Sequence, residues 1–174
     1  TGDEGSGAGL NDGGQVVGYS APISLPPHAT LWDRNGQQDL GTLGGTSSWA
    51  TAINRQGQIA GYSRTVGEAA IHAFLWENGV MTDLGTLGGG YSDSIAKSID
   101  DSGRVVGSSY TTPGPSFQQH AFIWEAGVMT DLNTLLPANS GWTLLDATGV
   151  NKHGLIVGQG INPDGQLRPY LLQP

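Results

Sequence analysis

Three histidines, His28, His72 and His120, recur at matching places along the chain and raise the question of a metal site, since imidazole nitrogens are common zinc ligands. Geometry speaks against sharing one ion. Each lies on the third strand of its repeat, roughly 10 Å outward from the innermost strand, so the rings should radiate apart. A hydrogen bond from each His to a nearby turn or loop is the better account, and His153 has no counterpart. Asp39, Asp83 and Asp131 also occur once per copy, and repetition argues for a structural task. Glu68, Asp93 and Asp146 are not repeated, and any two could act as general acid and base on a sugar linkage if the fold brought them together. The chain has no Ser–His–Asp elbow, phosphate loop or zinc spacing. It therefore carries no positive mark of catalysis, and no cofactor or metal is expected.

A second set could do the chemistry of recognition. Tyr91, Trp142, Tyr110, Phe117 and Trp49 are aromatics that the repeat does not require, and Arg64 lies in the same class of connection. Aromatic faces flanked by Ser, Asn, Asp and Arg64 can stack on sugar rings while the polar groups bond hydroxyls. The competing readings are that they cover the ends of the core or meet another protein.

The elements that must position these residues come from a fourfold repeat. The phrase Ala52-Ile53-Asn54-Arg55-Gln56-Gly57-Gln58-Ile59-Ala60-Gly61-Tyr62-Ser63 recurs around Leu10, Ile99 and Val150. The phrase from His72 to Leu87 recurs at His28 to Leu43 and His120 to Leu135, with a worn ending at Arg168 to Leu172. The period of about 43–51 residues, with several short strands per copy, signals a propeller or another repeat array. Approximate copies are 1–43, 44–89, 90–138 and 139–174 of one repeat domain.

Each copy resolves into four strands, A to D. Asn11 to Gly14, Asn54 to Gly57, Asp100 to Gly103 and Asn151 to Gly154 join A to B by an Asx-opened turn whose closing Gly needs a positive φ. Asn35-Gly36, Asn78-Gly79 and Ala126-Gly127 mark C–D hairpins. Alternation puts His72, Phe74 and Trp76 on one face of strand C and Ala73 and Leu75 on the other, as expected of a sheet sandwiched between two neighbours. Tight antiparallel meanders repeated four times predict an all-β fold, a small four-bladed β-propeller, with a β-solenoid as the runner-up.

Composition narrows the partners. The net charge is −8, and the seven basic residues are scattered, which disfavours nucleic acid and anionic membrane. No apolar run reaches the roughly 18 residues of a membrane span. With no Cys there is neither disulfide nor thiolate chemistry. Most of the 29 glycines sit at fixed places in the repeat and read as turn chemistry.

The tripeptides His72-Ala73-Phe74 and His120-Ala121-Phe122, the Asp-Leu-Gly-Thr-Leu-Gly-Gly runs at 39–45 and 83–89, and the Ile-Asn…Gly…Gly-Tyr-Ser run resemble the HAF-repeat family of bacterial repeat proteins. The likeness covers nearly the whole chain. It implies a secreted or cell-surface location and carries over no catalytic residue. Copy one departs from it with His28-Ala29-Thr30, and copy four with Arg168-Pro169-Tyr170.

Up-and-down strands put the uniform A–B and C–D turns on one rim and the dissimilar B–C and D–A connections on the other, where recognition is expected. The first functional expectation is a non-catalytic, extracellular binding module for a glycan or another ligand. The alternatives are a self-assembly module pairing through open sheet edges, and a polysaccharide lyase or hydrolase. Strand counting favours attention to the edges: copies one to three have a strand D, but copy four stops after strand C. The missing strand is expected from residues upstream of Thr1 or from another chain, with self-association through 168–172 as one outcome.

Overall fold

In the computed structural model, residues 4–88, 93–111 and 118–173 are described. They form fifteen strands. Sheet one contains β1 (Glu4–Leu10), β2 (Val16–Ala21), β3 (His28–Asp33) and β4 (Gly36–Asp39). Sheet two contains β5 (Gly44–Ile53), β6 (Ile59–Thr65), β7 (Ile71–Glu77) and β8 (Val80–Asp83). Sheet three contains β9 (Ser94–Ile99), β10 (Val105–Tyr110), β11 (Gln119–Glu125) and β12 (Val128–Asp131). Sheet four contains, among the described residues, β13 (Thr143–Val150), β14 (Ile156–Ile161) and β15 (Leu167–Leu172). Within each sheet, consecutive strands pair antiparallel. The antiparallel meanders replace the parallel rungs of a solenoid, and the three-stranded fourth sheet matches the strand count.

The A–B turns follow from one side chain used twice. Asn54 Oδ1 accepts the N–H groups of Gln56 (3.1 Å) and Gln58 (2.9 Å), while Gly57 closes the turn at φ 81°. Asn11, Asp100 and Asn151 hold their turns by the same pair of bonds. The other end of the amide reaches across to the next sheet: Asn11 Nδ2 donates to the Asn54 carbonyl (3.0 Å), and Asn54 Nδ2 to the Asp100 carbonyl (2.9 Å). Asp100 has no such donor, and its carboxylate instead holds Arg104 Nε at 2.7 Å. The amide ladder thus runs through sheets one to three and ends there.

A glycine in each second strand lets the first strand approach. A Cβ on Gly61 would collide with the Trp49 carbonyl oxygen and the Phe74 ring, and one on Gly18, Gly107 or Gly158 with the corresponding oxygen of Ser6, Ile95 or Asp146. Beside these contacts every first strand carries a bulge, between Gly7 and Gly9, Ala50 and Ala52, Ala96 and Ser98, and Ala147 and Gly149. The extra residue bends and twists the strand.

Three apolar cores lie between successive sheets. Val17, Ala29 and Leu31 of sheet one meet Ile53, Ile59, Phe74 and Trp76 of sheet two. Ala60, Ala73 and Leu75 on the opposite face of sheet two meet Ile99, Val105 and Phe122 of sheet three. Val106 and Ala121 of sheet three then meet Leu144, Ala147 and Ile156 of sheet four. The alternation along β7 therefore serves two different cores, as its sequence requires. Among the described residues no fourth core joins sheet four to sheet one, and Leu10, Val16, Val157 and Leu171 on the two end faces are exposed.

Candidate functional site

The repeated histidines and aspartates turn out to be partners. His28 Nδ1 lies 2.8 Å from Asp39, His72 2.8 Å from Asp83 and His120 2.6 Å from Asp131, each pair bridging the third and fourth strands of one sheet. The same carboxylates accept the N–H of Gly41, Gly85 and Asn133, so each fixes the exit from the sheet. Burial pushes the Asp83 carboxyl up, but hydrogen bonds from His72 and the Gly85 N–H outweigh it and leave Asp83 below the usual carboxylate range. The expected His bond exists, with a carboxylate rather than a turn or loop as its acceptor. Among the described residues no cluster of three His, Cys, Asp or Glu groups could hold a metal ion.

The unrepeated carboxylates are each committed to a separate bond. Glu68 accepts the Thr46 N–H (2.6 Å) and pairs with Arg64 (3.1 Å); Asp93 accepts the Ile71 N–H (2.8 Å); Asp146 pairs with Lys97 (2.5 Å). These bonds tie connections to strands and sheet three to sheet four.

Serines perform a latching role that the repeat phrases did not disclose. Ser48 accepts the Ala29 N–H (2.8 Å) and donates to the Gly41 carbonyl (2.6 Å); Ser94 does the same with Ala73 and Gly85. Ser63 and Ser109 accept the N–H groups of Leu43 and Leu87. Their recurrence one sheet apart was the available signal, but the partners come from a neighbouring repeat.

The aromatic candidates separate. Trp49 lies on β5 itself rather than in a connection, directly opposite Tyr62 of β6. Their rings stack at 5.1 Å with planes 23° apart, and both are half-buried. Burial, and then the nearby Tyr19 phenol, push the Tyr62 hydroxyl above its ordinary value. Sequence reasoning missed Tyr62 and Tyr19; aligning Ala50 opposite Gly61 would have placed Tyr62 beside Trp49. Arg64 stands farther along β6, toward the B–C connection, paired with Glu68.

Tyr110 ends β10 and lines a small groove of about 140 Å³ with Ile71, Asp93 and Gln119. Trp142 precedes β13 and packs, half-buried, against the third core. Tyr91 and Phe117 lie outside the described residues.

The two rims differ as their sequences do. The A–B turns share one bonding pattern. The described B–C connections do not: Leu25 N–H bonds the Pro22 carbonyl in sheet one, a short 3-10 turn spans Val66–Glu68 in sheet two, and an Asx turn headed by Asn162 serves sheet four. No protein-family model matches the chain, and no curated protein compared with it is a match.

Proposed function

We propose that the four sheets are the blades of a β-propeller-type recognition module, secreted or displayed at the cell surface, which binds a glycan or similarly hydroxyl-rich ligand without transforming it. The observation that carries this reading is the half-buried Trp49–Tyr62 stack. At the place of Trp49 the other copies have Ser6, Ile95 and Asp146, and at the place of Tyr62 they have Tyr19, Ser108 and Gln159, so the scaffold does not need the aromatic pair. Stacked aromatics offer an apolar face to a sugar ring at little entropic cost, and Arg64 and Glu68 beyond them supply hydroxyl partners. The extracellular setting rests on the HAF-repeat resemblance.

Calorimetric titration with a panel of soluble oligosaccharides tests the reading, with thermal melts as the control for folding. Binding should be lost in Trp49→Ala, retained at least in part in Trp49→Phe, and unaffected by Glu125→Gln on the opposite rim. A panel without any binder at millimolar concentration defeats it, and release of new reducing or unsaturated ends would favour an enzyme instead.

A further inference from the structure

Among the described residues sheet four has three strands, and the four-stranded sheets two and three show what its edge is built to take. In sheets two and three the outer strand places Asp83 opposite Phe74, Thr82 opposite Leu75 and Met81 opposite Trp76, then Asp131, Thr130 and Met129 opposite Phe122, Ile123 and Trp124. The methionine packs on the core shared with the preceding sheet. The aspartate takes the histidine two residues before the Phe.

On β15 the corresponding places hold Arg168, Tyr170, Leu171 and Leu172, by their register with β14. Where a methionine-bearing strand would lie there is a groove of about 350 Å³ lined by Leu136, Trp142, Leu144, Tyr170 and Leu172. Arg168 is exposed and its guanidinium bonds its own segment, at the Leu167 carbonyl (3.1 Å) and Gln166 Oε1 (2.8 Å). Leu171 is also exposed.

We infer that β15 is an acceptor edge for an extended, acidic strand of the β8 and β12 type, with an apolar residue, a threonine and an aspartate in succession. The strand adds antiparallel and pairs its threonine backbone with Leu171. Its apolar side chain fills the groove beside Leu172, and its aspartate meets Arg168. The guanidinium that replaces the histidine of the other copies is permanently charged and presents forked donors to a carboxylate, so the edge selects an acidic strand. Pro169 fits the same picture. At its place Ala29 and Ala73 give their N–H to Ser48 and Ser94 of the next sheet; proline has no N–H, so that latch is given up while Leu171 keeps its edge groups. This inference is independent of the ligand reading.

The probe is a synthetic peptide of residues 79–86, Gly-Val-Met-Thr-Asp-Leu-Gly-Thr, titrated calorimetrically into the intact chain. One-to-one binding is expected. Arg168→Ala, or asparagine for the peptide's aspartate, should each weaken it about 2–5-fold, and the two together no further. Methylating the backbone nitrogen of the peptide's threonine should abolish binding with the protein unchanged. The inference is overturned by no binding at millimolar peptide, by equal binding of the methylated peptide, or by indifference to both charge changes. A concentration-dependent dimer that the peptide cannot disperse would assign the edge to a second copy and overturn the acidic strand as occupant.

Discussion

Sheets two and four share the A–B turn and the second-strand phrase of the repeat and live in different surroundings. Ala60 and Leu75 of sheet two are 0% and 8% exposed, whereas their counterparts in sheet four, Val157 and Leu171, are 46% and 66% exposed. At the front of the stack the reverse face shows the same effect, with Ile59 fully buried and its counterpart Val16 37% exposed. The residue types barely change; the presence of a neighbour does. Burial in such an array is a property of place in the stack, because each repeat has two apolar faces and supplies only one side of each core.

The sharpest way to break this comparison is to cut the same side chain in both sheets. Leu75→Ala removes a buried group from the second core and should cost about 2–5 kcal/mol. Leu171→Ala removes an exposed one and should stay within about 0.5 kcal/mol. Denaturant melts of the two variants decide it. Equal losses would mean that the outer face of sheet four is covered in solution.

An intermediate effect is expected where the amide ladder ends. Burial pushes the Asp100 carboxyl up, yet hydrogen bonds from Ser102 and Arg104 prevail and hold it below the usual carboxylate range. A depressed folded value means that the carboxylate stabilises the fold above its unfolded pKa of about 3.9, and that this stability is lost as pH falls through the lower folded value. Asp100→Asn should therefore lower neutral-pH stability by about 1.5–3 kcal/mol, the usual scale for hydrogen bonds to a charged group, and flatten the decline below about pH 4. Parallel acid titrations followed by circular dichroism test it; an unchanged acid slope would remove Asp100 from the account.

The smallest effect separates two hairpins. Asn78 and Ala126 open equivalent C–D turns, both at φ 50°, a conformation that asparagine tolerates and alanine resists. Ala126→Asn should stabilise sheet three by roughly 0.5–1 kcal/mol, a shift of a few degrees in the thermal midpoint. A lower midpoint would show that the turn is set by contacts other than its own backbone preference.

The strands, their turns and the two-faced alternation of β7 were readable because they depend on neighbours in the chain. Asx residues bond N–H groups two and four positions ahead, and a pleated strand shows alternate sides whatever surrounds it. The candidate site was less legible. Trp49 was visible as an unrepeated aromatic, but its partner Tyr62 is thirteen residues away and becomes a neighbour only through the register of β5 on β6. The His–Asp pairs were seen as two separate repeating residues, since a diagonal contact across a hairpin needs the register to be known.

The sequence by itself determined the four repeats, their antiparallel meanders and the positive-φ glycines of the A–B turns, all of which follow from local spacing and turn chemistry. Only the tertiary structure decided which faces are covered, that serine hydroxyls and asparagine amides bind one sheet to the next, and that β15 presents Arg168 beside an unfilled apolar groove. Those outcomes depend on contacts between residues far apart in the chain, 19 positions for Ala29 and Ser48 and 46 for Asn54 and Asp100, and no local pattern states which repeat will supply the partner.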